Sequence, residues 1–412
     1  MIISTGSLLT GEWANTVRRI NLKKANVARA DTIRYINRQI VLNYVREKEP
    51  ISRAEISHET ALQRSTVSLI VEELKTQGLI DEIGGESTGG RPPLLLRLRT
   101  GGSMAIGVDL GTATTTMATG DLAGRVLKRE IFDTDPDLRI TVGKIRTCIR
   151  NFMRSEPGIE GIGISVPGLV DPKTGDAIFV PHFKWRDWAI TDELREATGI
   201  SVFVDNDANA AALAELWLGR PEVRDARDFI LVLVAEGLGT GIVFDGQVYH
   251  GMSGAAGEFG HMTIGKDAPV ACAAGSYECW EAFSSERAAL ARYTALNSRS
   301  NGAPITFDQL VDRALEGEEI AKEALVETAR YLGLGILNLL KGLSPEAVII
   351  GGQISRAWPV IADELTNIVA QSSICRGLLS ARVIPSTLGA NTRLMGALSL
   401  VLAGKFASVL PA

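Results

Sequence analysis

Val204-Asp205-Asn206-Asp207-Ala208-Asn209-Ala210-Ala211-Ala212-Leu213-Ala214-Glu215 is the most specific run in the chain. A carboxylate, an amide and a second carboxylate follow an apolar strand, and a series of small helix formers comes next. That order sets polar side chains at a strand end that opens a helix, facing a cleft. Asp207 there can take a proton from a hydroxyl, and Asn206 can hold a neighbouring oxygen. The same residues also suit a plain helix cap. Two further clusters lie downstream, AGEFGH at 256–261 and CAAGSYECWE at 272–281.

Around this run the pattern is α/β. Apolar strands are expected at 161–166, 202–204, 229–234, 241–244 and 347–350. Helices are expected near 140–154, 191–198, 208–218, 285–297, 320–340 and 361–372. Strands mixed with helices in this way build layered α/β domains. Residues 104–127 read as two strands joined by a glycine turn. The hairpin regions near Asp109 and Asp245 are candidates for the openings of two related lobes.

Upstream the texture differs. Ile33, Ile36, Ile40, Val41 and Tyr44 recur at helical spacing, and Pro50 closes that helix. Ser52 and Glu55 have the spacing of a capping box for a short helix over 53–60. A tight turn at Ala61-Leu62-Gln63 leads into a second helix that Gly78 ends. Val67, Ile70, Val71 and Leu74 form its buried face. Two short strands, 79–83 and 94–98, flank the loop GGESTGGRPP and make a β-wing. Helix, tight turn, helix and wing is a way to read duplex DNA. Arg53, Gln63, Arg64, Ser65, Thr66 and Ser68 are the candidates for DNA contact. Gly90 lets the wing backbone approach the sugar-phosphate wall, and Arg91 can enter the minor groove. A winged helix also serves as a protein-interaction module.

Charge favours DNA. Residues 1–100 carry 15 Lys+Arg against 11 Asp+Glu, a net of +4, and the other 312 carry 28 against 37, a net of −9. A basic front on an acidic body fits a DNA-binding head on a body with another task. Three units follow: a basic arm at 1–30, the winged helix at 31–100 and the α/β body at 101–412. The first residues lack the charged and apolar regions of a secretory leader. No long apolar run suggests a membrane span. Four cysteines, Cys148, Cys272, Cys279 and Cys375, read as cytosolic thiols or metal ligands. A cytoplasmic protein is expected.

Taken together, the Asn206-Asp207 run, the Gly257-Glu258-x-Gly-His261 cluster and the cysteine loop resemble the ROK family of repressors, open reading frames and kinases. The resemblance runs from about Arg34 to the C-terminus. The run SRAEISHETALQRSTVSLIVEELKTQGLI at 52–80 resembles its repressor branch. It implies a winged helix-turn-helix joined to a two-lobed, actin-like ATPase fold of the sugar-kinase type. It implies a sequence-specific repressor of carbohydrate-metabolism genes governed by a sugar or sugar derivative. The alternative is an ATP-dependent sugar kinase that also binds DNA. Asn206, Asp207, Glu258, His261 and Glu281 are the implied sugar ligands. Asp207 is the implied catalytic base if the chain is a kinase, and Ser165-Val166-Pro167-Gly168 is the loop near the sugar.

Three departures bear on cofactors. The family's kinases open with Asp-x-Gly-Gly-Thr, a phosphate cradle, whereas here Asp109-Leu110-Gly111 is followed by Thr112. A branched side chain there speaks against ATP. Gly237-Leu238-Gly239-Thr240-Gly241 and Gly351-Gly352 remain, as turns that need glycine. The family zinc site uses one His and three Cys. His261, Cys272 and Cys279 are present but Ala274 replaces one Cys. Either water or a carboxylate such as Glu278 completes the set, or zinc is lost. Trp185 matches the family but the Asn before it is absent. Trp185 and Trp188 either stack on a sugar or pack a hinge. A homodimer or dimer of dimers on an inverted-repeat operator is expected, with sugar-driven closure of the lobes moving the heads.

Overall fold

Local signals build the head. In α1 (Ala30–Lys48), Val41, Leu42 and Val45 are buried. β1 (Ile51–Ser52) ends at Ser52, whose hydroxyl accepts the Glu55 amide at 3.2 Å. The Glu55 carboxylate accepts the Ser52 amide at 2.8 Å, a reciprocal cap that starts α2 (Arg53–Thr60). Ala61 turns the chain in the left-handed region, and α3 (Arg64–Thr76) follows. Val67, Ile70, Val71 and Leu74 are its buried residues, as the periodicity requires. β2 (Ile80–Gly84) and β3 (Leu94–Leu98) pair antiparallel with Ile80 opposite Leu98, and β1 lies on the far side of β3. The computed structural model describes residues 30–85, 93–99, 101–156, 158–224, 226–297, 304–370 and 382–406. Residues 1–29 of the expected basic arm, and Gly90 and Arg91 of the wing, lie outside them, while Ala30 already opens α1.

The body holds two five-stranded sheets with the same plan. In the first, β4 (Met104–Leu110), β5 (Thr114–Asp121) and β6 (Val126–Asp133) form an antiparallel meander. After α4 (Leu138–Ser155), β7 (Ile159–Val166) returns parallel to β4. A small antiparallel sheet intervenes, made of β8 (Leu169–Val170), β9 (Ala177–Val180) and β10 (Trp185–Trp188). After α5 (Ile190–Thr198), β11 (Ser201–Asn206) completes the order β11-β7-β4-β5-β6.

The second sheet repeats this plan after α6 (Asp207–Leu218) and the single turn α7 (Pro221–Arg224). β12 (Phe229–Val234), β13 (Leu238–Phe244) and β14 (Gln247–Val248) run antiparallel. The helices α8 (Trp280–Ser284), α9 (Glu286–Leu296), α10 (Phe307–Leu315) and α11 (Glu319–Leu343) lead to β15 (Ala347–Gly351), parallel to β12. α12 (Trp358–Ala370) precedes β16 (Arg382–Pro385), which closes the order β14-β13-β12-β15-β16. β12 and β15 are buried at every residue, hence their unbroken apolar sequence.

α13 (Thr392–Phe406) ties the molecule together. It packs on β4, β7 and α6. The approach is so close that a Cβ on Gly163 would sit 1.8 Å from the Ala397 carbonyl oxygen. Its C-terminal half, with Leu398, Val401, Leu402 and Phe406, shares one continuous core with Val41, Leu42, Val45, Leu79 and Ile80 of the head. Asn43 Nδ2 donates to the Phe406 carbonyl at 2.9 Å. The Arg46 guanidinium lies 4.8 Å from the Phe406 ring centre and 4.9 Å from that of Trp217.

Phe406→Ala should therefore lower stability by about 3–5 kcal/mol, the usual loss for an emptied aromatic site. Arg46→Met, which keeps the stem but not the charge, should lose about 1 kcal/mol. Urea denaturation followed by circular dichroism measures both. A Phe406→Ala midpoint equal to wild type would show that head and body do not share a core.

Candidate functional site

The cleft is built where β11 turns into α6. Asn206 is the N-cap: its Oδ1 accepts the amides of Ala208 at 2.9 Å and Asn209 at 3.2 Å. Its Nδ2 donates to the Gly168 carbonyl at 3.0 Å, so the Ser165–Gly168 loop and the Asn206 turn are locked together. The capping reading of this run holds at Asn206, whose side-chain oxygen and nitrogen both bond within the protein. Asp207 begins the helix. Burial lifts its carboxyl to about 6; Arg393 opposes the rise, while Asp109 and Glu258 add to it by repulsion.

Arg393, in the first turn of α13, was not among the residues singled out from sequence. Its Nε lies 3.4 Å from Asp109 Oδ2, and Asp109 Oδ1 receives the Ser165 hydroxyl at 3.3 Å. The same guanidinium faces Asp207, Glu236 and Glu286. Burial pushes Glu286 up to about 8, with Arg393 opposing. One cation therefore pairs with Asp109 and feels the charge of three further carboxyl groups. No motif announces it, since Arg393 stands outside every glycine or acidic cluster.

Thr112 hydrogen-bonds through its hydroxyl to Glu236. The two loops that would cradle phosphates are thus tied to each other by protein groups. The glycines of the second loop have a different purpose from the one expected. Most of that stretch is strand β13, and a Cβ on Gly241 would meet the Ala208 carbonyl oxygen at 2.3 Å. Close packing of β13 on α6 requires glycine there, not a turn.

His250 is a second residue that the sequence reading passed over. Its Nε2 lies 2.7 Å from Asp205 Oδ2, and Asp205 Oδ1 accepts the Asn206 amide at 2.8 Å. The Asp205 contact raises the imidazole's affinity for a proton. It could have been sought in the segment YHGMSGAAGEFGH, of which only the end was used.

Glu258 and His261 share one 3-10 turn, with His261 Nε2 3.7 Å from Glu258 Oε2. Glu281 is buried. Its carboxylate accepts the Ala273 amide at 2.7 Å and the Leu238 amide at 3.4 Å, and it pairs with Arg287 at 3.2 Å. It organises three loops around the cleft. The Cys272 and Cys279 sulfurs are 3.4 Å apart. With His261 they offer three ligand atoms, all within 4.8 Å of one another. Soft sulfur and imidazole donors converging in this way are compatible with zinc, with one position left to another ligand. Trp185 and Trp188 are packing groups: both are buried, and their indole nitrogens donate to the Pro136 carbonyl and to Glu193.

On the head, Gln63, Arg64 and Ser65 are exposed at the start of α3, while Thr66 and Ser68 are half-buried. Arg53 is bound within the protein, paired with Glu72 and Glu82, so it braces α2 against α3 and β2.

A sequence model of the ROK family matches residues 105–403. The xylose repressor of Caldicellulosiruptor bescii is 31% identical over 386 residues, covering 90% of this chain and 96% of that protein. Among solved structures, a ROK family transcriptional regulator, a homolog of E. coli MLC protein, superposes with a TM-score of 0.74. It is 28% identical and covers 92% of this chain and 98% of its own. A ROK family glucokinase from Streptomyces griseus, in complex with glucose and AMPPNP, gives 0.65 at 28% identity, covering 72% of this chain and 99% of its own. The body's doubled sheet plan, its Asn206-Asp207 turn and these full-length likenesses agree: the chain belongs to the ROK family.

Proposed function

We propose that this chain is a cytoplasmic transcriptional repressor of carbohydrate-metabolism genes, whose grip on operator DNA is set by a sugar held beside Asp207. The observation that carries this is the course of α13. It begins at Arg393, among the carboxyl groups of the cleft, and ends at Phe406 inside the head's core. Fifteen residues of helix span about 22 Å, so a change at one end is delivered to the other by a stiff element. The likeness to a xylose repressor over nine-tenths of the chain supports the same reading.

In this proposal Asn206, Asp207, Glu258 and His261 hold sugar hydroxyls, and Glu281 contributes by fixing the loops that carry them. Gln63, Arg64, Ser65, Thr66 and Ser68, with Gly90 and Arg91 of the wing, meet DNA, and Arg53 positions α3. Two copies, or a dimer of dimers, place recognition helices about one helical turn apart on an inverted repeat. A coupling of about 1–3 kcal/mol between sugar and operator is enough for a switch. His261, Cys272 and Cys279 would hold a zinc ion that fixes the loop around Glu258. Sugar phosphorylation is the competing reading. Asp207 favours it, and the Thr112–Glu236 bridge across the expected phosphate loops argues against it.

A melting screen over a sugar panel led by xylose tests the sensor. One sugar should stabilise the protein by about 2.7 kcal/mol at a hundredfold excess over its Kd. The same sugar should change operator affinity at least fivefold, with no turnover of ATP. A protein indifferent to every sugar, or equally tight on DNA with and without one, ends the proposal; turnover lost in Asp207→Asn selects the kinase.

Asp207 accepts hydroxyl protons as a carboxylate, which exists above its pKa of about 6. Sugar affinity should thus hold at pH 7–8 and fall as the pH drops through 6. Asp207→Asn should bind at least tenfold more weakly and lose that pH dependence, as isothermal titration at pH 5.5 and 7.5 will show.

Stripping metal with a strong chelator should lower the melting midpoint, and added zinc should restore it. Cys272→Ser should be insensitive to both treatments. An unchanged midpoint in wild type would mean that the three ligands hold no metal.

A further inference from the structure

The outward face of α3 carries one residue whose chemistry differs from its neighbours. Ser65, Leu69, Glu72 and Thr76 are exposed and follow each other at spacings of four, three and four, so they stack in one stripe. The stripe lies opposite the buried Val67, Ile70, Val71 and Leu74. Three of its members are polar, and Leu69 is 74% exposed. Ile33 and Leu94 are the other exposed large apolar side chains among the head's described residues, and neither is on α3.

A single solvated leucine is ordinary on a protein surface. Its place is what matters here. Leu69 stands one turn beyond Ser65, about 5–6 Å along the helix, which corresponds to roughly one to two base steps. The carboxylate that follows it is compensated: Glu72 is held by Arg53 and lies 3.5 Å from Lys75. Charge repulsion therefore does not keep this part of the stripe away from phosphates. In the major groove the donors and acceptors of the base edges are joined by one apolar group, the C5-methyl of thymine. An exposed leucine on a helix entering that groove has that group as its partner.

We propose that Leu69 is a specificity-determining residue that packs on the C5-methyl of a thymine within the operator. This rests on the reading of the head as a DNA-binding module. Ser65 and Arg64 then supply the polar contacts one turn earlier, and Leu69 selects thymine over cytosine by burying a methyl group that cytosine lacks.

The full-length protein is first used to select duplexes from a random library. In the enriched sequence each thymine is then replaced in turn by deoxyuridine, which removes the methyl and nothing else. Wild type should bind about three- to fivefold more weakly when one particular thymine, or one per repeat, is replaced, the worth of one buried methyl. Leu69→Ala should bind thymine and deoxyuridine duplexes alike, and Leu69→Met should keep the discrimination. The melting midpoint of Leu69→Ala should match wild type, because the side chain is exposed.

Indifference of wild type to every replacement, or unchanged discrimination in Leu69→Ala, overturns the role of Leu69 and leaves DNA reading intact. Loss of an oligomer in Leu69→Ala by light scattering, with deoxyuridine tolerated, also overturns it, since a second copy then covers the residue. If no sequence is enriched at all, both readings fall.

Discussion

One helix constrains everything else in this molecule. α13 is wedged between the first sheet and α6, and its last turns join the core of the head. At Gly163 β7 meets it backbone to backbone, and Leu398 lies against Gly107 of β4, so a tilt of α13 would push on both strands. Packed interiors transmit displacement in this way because they resist compression.

The charge pattern of the cleft acts on the same element. Arg393 sits at the N-terminal end of α13 with Asp109 beside it, and Asp207, Glu236 and Glu286 around it. A helix N-terminus favours negative partners, so the same carboxyl groups suit both the guanidinium and the start of the helix. The lobes are held by a shared cation as well as by packing. In the proposed function, a sugar whose hydroxyls donate to Asp207 would alter that balance at the point where α13 begins.

The head was legible because its determinants are local. The Ser52–Glu55 box, the Val67-Ile70-Val71-Leu74 stripe and the alternating residues 94–98 lie within a few positions of each other. The body was legible where a local pattern fixes a turn, as at the Asn206 cap and the Glu258–His261 turn, and where strands are buried on both faces. α13 was not legible. The run TRLMGALSLVLAGKF is apolar on most sides because neighbours surround it, so it lacks the polar stripe that marks a surface helix. Arg393 and Glu286 were hidden for a related reason: the fold alone brings residues near 109, 207, 236, 286 and 393 together. Leu69 was missed differently. Its outward position follows from the same periodicity that gives the buried face, but polar side chains are the usual mark of a base-reading face. Glycines 239 and 241 were noted for the right residues and the wrong cause.

The seam between head and body has a consequence for how such proteins can be recombined. Residues 41–45 near one end of the chain and 398–406 near the other belong to one apolar interior. A chimera made by cutting between β3 and β4 would carry the head away from the α13 side chains that share its core. It would uncover the head-facing side of Leu402 and Phe406 on the donor, while Leu398 and Val401 keep their packing on β4, β5 and β7. The exchangeable module is thus discontinuous, the N-terminal unit together with the closing turns of the last helix, and a graft that honours this boundary keeps that shared interior covered.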